Sequence, residues 1–183
     1  MSDRPTRIAL LRGVNVGGRG RLPMADFRAL LAGLGYGTPQ TYIQSGNAVF
    51  RAAGPAEEIA TAIGKAIAAS HGFRPHVLLR SLAEIEAALA ACPFRPAPGA
   101  EKTVQLYFLD PPPGAPDLAA LEALRAADEE VALAGKVFYL SAPSGIGRSK
   151  LAAAVERHLG TPATARNLRS VRAIRDLART LPN

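Results

Sequence analysis

The same succession of patterns runs twice through this chain, and that repeat limits its fold more than any single motif. In the first half, Arg7-Ile8-Ala9-Leu10-Leu11 is an apolar, strand-like run. Pro23 suits the first turn of a helix that carries Phe27, Leu30, Leu31 and Leu34 on one side and stops at Gly35 and Gly37. Two β-type runs follow, Thr41-Tyr42-Ile43-Gln44 and Ala48-Val49-Phe50-Arg51, and Ser45-Gly46-Asn47 between them signals a tight hairpin. Pro55 opens a second helix striped by Ile59, Ile63 and Ile67. The strand His76-Val77-Leu78-Leu79 leads to a helix over 81–91. Ser81 and Glu84 in that helix have the spacing of a capping box.

After a proline-rich linker over 93–99, the order returns. A strand over 104–109 precedes a helix with Leu118, Leu121 and Leu124. A hairpin around Gly135 precedes a helix from Ser149, an extended piece over 163–166 and a last helix. Each half is thus β-α-β-β-α-β-α, the ferredoxin-like split βαβ order with one extra helix. The halves share pattern and negligible residue identity. The expectation is a duplicated ferredoxin-like α+β protein with halves over 1–98 and 99–183. Residues 8–11 and 106–109 are apolar at successive positions, so both faces of those strands should be covered. The extra helices, the other half or a second subunit could cover them, and two intimately packed halves are favoured.

Composition narrows the class. At 183 residues and 48% apolar, the chain is long and apolar enough to bury a core, which excludes disorder as its ground state. The single Cys92 cannot form an internal disulfide, and no His/Cys pair has metal-ligand spacing. No apolar run reaches the ~18 residues of a membrane span. Residues 1–10 carry Arg4, Pro5 and Arg7 and no apolar targeting stretch. A cytoplasmic protein without metal or cofactor is expected.

Arg outnumbers Lys by 18 to 4, a bias that GC-rich codons alone produce, so the placement of charge is more telling than its sum. Residues 1–30 carry a net +4, residues 31–144 a net −3 and residues 145–183 a net +6. Codon bias does not segregate charge in this way. An electropositive surface built from the two chain ends is the physical alternative.

Three loops carry candidate chemistry. The segment from Arg12 to Arg21, with Asn15, Gly17 and Gly18, is longer than an ordinary strand-to-helix connection and can offer peptide N–H groups and arginines to an anion. It lacks the Gly-Lys-Ser/Thr of a P-loop, and Pro23 stands where the dinucleotide fingerprint needs a third glycine. In the hairpin, Ser45 and Asn47 supply a hydroxyl and an amide, or simply form the turn. Ser144-Gly145-Ile146-Gly147-Arg148-Ser149-Lys150 opens a helix, and Lys150 sits where a phosphate would find a positive helix end, although capping alone accounts for Ser149. The last helix sets Arg169, Arg172, Arg175 and Arg179 on one arc and Val171, Ile174, Leu177, Ala178 and Leu181 on the opposite one. A solvated surface face is the plain explanation of that arc.

Three of these segments resemble signatures of one bacterial family, catalogued as domain of unknown function 1697. They are Leu11-Arg12-Gly13-Val14-Asn15-Val16-Gly17-Gly18, Thr41-Tyr42-Ile43-Gln44-Ser45-Gly46-Asn47 and Thr164-Ala165-Arg166-Asn167. The resemblance implies a duplicated ferredoxin-like fold and implies no activity. The family often places Trp after the Arg-Asn pair, whereas this chain has Leu168, so no stacking role carries over to that position.

The expected function is binding of an anionic ligand, nucleic acid or a phosphorylated small molecule. The residues expected to carry it are Arg12, Asn15, Gly17, Gly18, Ser45, Asn47, Lys150, Arg166, Asn167 and Arg169. The alternative is a metal-independent enzyme acting on a small carboxylated or phosphorylated substrate in a cleft between the halves. Its weakness is that the motifs contain no His or carboxylate to serve as a general base. A structural or interaction subunit is the third possibility, and the sequence leaves oligomeric state open.

Overall fold

The two most apolar runs of the chain become the central strands of two four-stranded antiparallel sheets in the computed structural model, which describes residues 4–182. Strand β1 (Thr6–Arg12) lies between β3 (Asn47–Arg51) and β4 (His76–Ser81), and β2 (Gly37–Tyr42) forms the far edge, giving the order β2-β3-β1-β4. A central strand satisfies its peptide groups on both sides. Here Ile8 through Leu11 are also buried on both faces, which is why the run does not alternate with polar residues.

Helices α1 (Met24–Gly33) and α2 (Ala56–His71) supply Phe27, Leu31, Ile59, Ile63 and Ile67 to a core shared with Ala9, Leu11, Phe50 and Leu79 of the sheet. Each such side chain removed from water contributes roughly 1.5–3 kcal/mol. Tyr36 stacks on Phe50 at 5.1 Å between ring centres and extends this core to the edge. Pro23 and Pro55 occupy N-cap positions, one place ahead of the first helical turn. Each has the extended ψ of a cap (139° and 140°), and neither can offer a capping side chain. At β4 the chain passes directly into α3 (Leu82–Ala91) through the expected capping box. Ser81 N donates to Glu84 Oε2 at 2.8 Å, and Glu84 N donates to Ser81 Oγ at 3.2 Å.

The second sheet repeats the arrangement with β5 (Val104–Leu109), β6 (Glu130–Ala134), β7 (Val137–Ser141) and β8 (Ala163–Asn167) in the order β6-β7-β5-β8. Helices α4 (Leu118–Leu124) and α5 (Lys150–Leu159) bring Leu121, Leu151, Val155 and Leu159 against Tyr107, Leu109, Phe138 and Leu140. Helix α6 (Leu168–Arg179) follows β8 without a break. The aromatic residues Tyr107, Phe108, Phe138 and Tyr139 are all buried and offer no base-stacking platform. Among the described residues, no helix is long and apolar enough to cross a membrane.

The compact units follow burial rather than the order of elements. One comprises the residues up to Ala87 together with those from Arg172 onward, and the other is Ala88–Val171. Position 98/99, where the pattern repeats, therefore falls within the second unit. The reason lies in α3 and α6. The buried Ile174, Ala178 and Leu181 belong to the first unit, and the buried Ala88 and Cys92 to the second.

One residue-level echo of the repeat emerges from strand register. Arg80 of β4 lies opposite Ile8, and Arg166 of β8 lies opposite Leu106, each on the strand that ends its unit's sheet. Both guanidinium groups are buried, at 7% and 9% exposure. Arg80 Nη1 donates to Leu79 O at 2.9 Å, and Arg166 Nη1 donates to Ala165 O at 2.8 Å. A capping residue follows each arginine, Ser81 in one case and Asn167 in the other.

Candidate functional site

The connection from β1 to α1 is a clamped miniature hairpin rather than a slack loop. Val14 and Leu22, both buried, anchor its ends in the first unit's core. Between them Asn15 N donates to Gly20 O at 2.9 Å, and Arg19 N donates to Val16 O at 3.0 Å. Gly17 and Gly18 form the tip with φ of 58° and 74°, the left-handed pair that a two-residue turn of the primed type requires. Gly20 is there for space as well as for φ. A Cβ on it would sit 2.2 Å from Gly13 O.

Asn15 closes this structure. Its Nδ2 donates to Leu22 O at 2.9 Å and to Gln44 O at 2.7 Å, and its Oδ1 accepts from Leu22 N at 2.9 Å. Both amide hydrogens are thereby used inside the protein. The second motif joins at the same place. Leu11 N donates to Gly46 O at 2.8 Å, and a Cβ on Gly46 would approach Leu11 Cβ to 2.7 Å. Asn47, fully buried, donates through Nδ2 to Tyr42 O at 3.0 Å and to Ser45 Oγ at 2.9 Å. The β2–β3 connection therefore spans residues 43–46, longer than the Gly-Asn pair predicts. Ile43 takes φ 48° there, a strained conformation for a β-branched residue.

Arg12, Asn15, Gly17, Gly18, Ser45 and Asn47 thus gather in one corner of the first unit, with different parts to play. Both asparagines are braces, Asn47 buried and Asn15 at the surface. Arg12, Arg19 and Arg21 are exposed around them, and no carboxylate occurs between residues 4 and 25. Val16 and Ile43, 66% and 51% exposed, add two apolar side chains to the same loops.

In the second unit the predicted residues serve mostly as local structure. Ser149 Oγ accepts from Ala152 N at 2.9 Å and caps α5, leaving Lys150 exposed as its first residue. Ser144, ahead of it, already meets an anion of the chain itself. Its N and Oγ donate to Asp128 Oδ2 at 3.2 and 2.6 Å, and the hydroxyl bond holds the Asp128 carboxyl below its usual pKa. Asn167 Oδ1 accepts from Ser170 N at 2.9 Å and caps α6. Burial pushes the Arg166 guanidinium down to about 10, which leaves it charged at neutral pH. Arg169 is exposed; in the part of α6 that belongs to the first unit, Arg172 is exposed too, while Arg175 pairs with Asp176 and Arg179 with Glu86, each at 2.7 Å. The arginine arc is therefore partly neutralised. Its opposite face is buried at Val171, Ile174 and Ala178, as the periodicity predicts.

Arg74 and His76, the latter expected from sequence to be only structural or at the surface, come together beside Thr61 and Gly64. These residues line a depression between α2 and the start of β4. An isolated glycine inside an otherwise regular helical pattern was the available signal. Phe73 ties this segment to the glycine-rich loop, since its Cε2 lies 3.3 Å from where a Gly20 Cβ would stand. Among the described residues, no three His, Cys, Asp or Glu side chains assemble as a metal set.

The fold and this corner define a mixed α+β protein with two four-stranded antiparallel sheets and a braced, arginine-edged glycine loop. The chain belongs to the family described as protein of unknown function (DUF1697), whose model matches residues 5–139. That stretch contains the first two motifs, and the third, at 164–167, lies beyond it. The structure is similar to that of the conserved bacterial protein SP0830 from Streptococcus pneumoniae. The TM-score is 0.70 and the identity 23%, over 97% of this chain and 99% of that one, a likeness that shows the fold. No curated protein matches the chain.

Proposed function

We propose that the protein binds a phosphate-bearing ligand through the loop from Arg12 to Arg21. The carrying observation is the brace. Asn15 and Gly20 hold the loop in one shape, so the arginines at its edge start from a fixed frame instead of a mobile coil. Preorganisation of this kind lowers the entropy lost on binding. Guanidinium groups match phosphate oxygens as a fork, and a segment free of carboxylates does not compete for them. The buried state of the sheet aromatics favours phosphate contact over base stacking.

The same reading gives the chain a duplicated ferredoxin-like architecture of two repeats, 1–98 and 99–183. The identical strand orders and the matched Arg80 and Arg166 support it. Lys150, Arg166, Asn167 and Arg169 are assigned to the ligand only secondarily, because capping and burial already account for Asn167 and Arg166. A cytoplasmic location is part of the proposal, supported by the buried free thiol of Cys92.

The test is retention on immobilised heparin and binding of a fluorescent single-stranded RNA and of pyrophosphate, each across a salt series. Phosphate-driven binding weakens steeply with salt. Arg12→Gln, Arg19→Gln and Arg21→Gln combined should abolish it and flatten the salt slope. Absence of binding to all three probes at about 50 mM salt would overturn the proposal.

A further inference from the structure

Gly64 lies buried in the middle of α2, a helix otherwise made largely of alanine, isoleucine and other competent helix formers. Glycine is a poor choice there on propensity alone. Its surroundings supply the reason. A Cβ at this position would approach Arg74 Nε to 3.3 Å and Arg74 Cγ to 3.6 Å. A methyl group there would push Arg74 outward by a few tenths of an ångström, so glycine gives the Arg74 side chain room against the helix.

The space beside it is an open surface depression of about 190 Å³, with Thr61, Arg74 and His76 exposed around it. Its walls include Ala60, Thr61 and Gly64 from α2 and Arg74, His76 and Val77 from the chain entering β4. The polar groups among these are a guanidinium, an imidazole and a hydroxyl, all able to donate hydrogen bonds, and none is a carboxylate. Glu57 and Glu58, three to four residues before Thr61 on α2, and Lys65, next to Gly64 in sequence, are not among the residues that line it. Strand β4 is the last strand of its sheet, so the outward edge of its backbone at His76 and Val77 lies outside the ladder.

We propose that this depression is a binding site for a small phosphate or phosphomonoester. Arg74 is its main anion contact, with His76 and Thr61 as supporting donors. Donors reach the space from a helix and from a strand entry, a spread that suits the three oxygens of a phosphate better than the two of a carboxylate. Arg74 offers the planar fork. Ala60 and Val77 leave a short apolar wall for the organic stem of a monoester. No residue of the glycine-rich loop lines this site, although the neighbouring Phe73 lies beside Gly20, and binding here is read at residues other than those of the loop.

The test is a titration of the full chain with inorganic phosphate, and then with glycerol phosphate, at constant ionic strength, followed by amide ¹H–¹⁵N spectra. Saturable shifts are expected at Thr61, Gly64, Arg74 and His76. Arg74→Gln should weaken binding about tenfold, the loss of one charged hydrogen-bonding group. Gly64→Ala is the sharper variant. It improves helix propensity while filling the space beside Arg74, so it should raise Tm and weaken phosphate binding together. No saturable shift at these residues up to about 50 mM phosphate, a range that covers even very weak sites, would overturn the proposal. So would shifts confined to residues 17–21, which would instead support the loop. A Gly64→Ala protein with higher Tm and unchanged affinity would also overturn it.

Discussion

The side-chain amide of Asn15 donates to the carbonyl oxygen of Gln44 at 2.7 Å, joining two loops 29 residues apart. With the paired bonds to Leu22, this makes Asn15 the brace of the glycine-rich loop. Its φ of 54° also places it in the left-handed region, which asparagine tolerates better than alanine. Asn15→Ala should therefore cost about 2–4 kcal/mol, from three hydrogen bonds at about 1 kcal/mol each plus backbone strain. Asn15→Gly keeps the backbone relaxed and should be milder by roughly 0.5–1 kcal/mol. Urea unfolding of both variants checks the order, and equal losses would mean that the φ constraint contributes nothing.

Gly20 and Gly17 share a positive φ but not a common environment. A Cβ on Gly20 meets Gly13 O at 2.2 Å, whereas one on Gly17 meets nothing within 4 Å. Gly20→Ala is expected to cost upwards of about 3 kcal/mol and Gly17→Ala about 1 kcal/mol. On thermal melts that difference is several degrees for a chain of this size.

At the start of α3 the reciprocal bonds between Ser81 and Glu84 form one unit. Ser81→Ala should cost about 1 kcal/mol, and adding Glu84→Ala should cost less than the two single losses summed. A double-mutant cycle measures the coupling. Strict additivity would show that the box does not act as a pair.

Asp128 titrates below the ordinary carboxylate range because Ser144 Oγ–H and N–H donate to it. A depressed folded pKa means that the contact stabilises the fold above the usual carboxylate pKa and is lost as pH falls through the lower, folded value. Carboxyl ¹³C titration should find Asp128 lower than its unfolded value, and Ser144→Ala should move it back up. An Asp128 titration indifferent to Ser144→Ala would contradict the assignment.

Arg80 and Arg166 turn the same guanidinium nitrogen onto the preceding carbonyl in the two units. Lysine keeps the charge and loses the planar fork that makes this turn-back possible. Arg80→Lys and Arg166→Lys should each destabilise by about 1–3 kcal/mol. Comparable losses in guanidinium unfolding would support equivalent roles, and a neutral result at either position would break the equivalence.

Much of the architecture was present in local pattern. The run over 104–109 became β5 at those bounds, and the helix carrying Leu118, Leu121 and Leu124 became α4, because apolar continuity and helical spacing need no distant information. Ser81, Ser149 and Gly135 acted where their chemistry predicts, since capping and tight turns are settled within a few residues. The site was legible only as a set of loops. That Asn15 and Asn47 spend their amides on the chain itself depended on Gln44, Tyr42 and Leu22, partners that periodicity does not connect.

The sequence by itself determined the element order, the two central strands and the positive ends of the chain, all consequences of short-range hydrophobic spacing and charge placement. Tertiary structure alone decided which polar groups were consumed in holding loops together and which stayed at the surface. It also decided that Gly64 makes room for Arg74 and that Arg80 and Arg166 occupy matching positions. Those outcomes rest on hydrogen-bond satisfaction and close packing between segments distant in sequence, which a linear pattern does not encode.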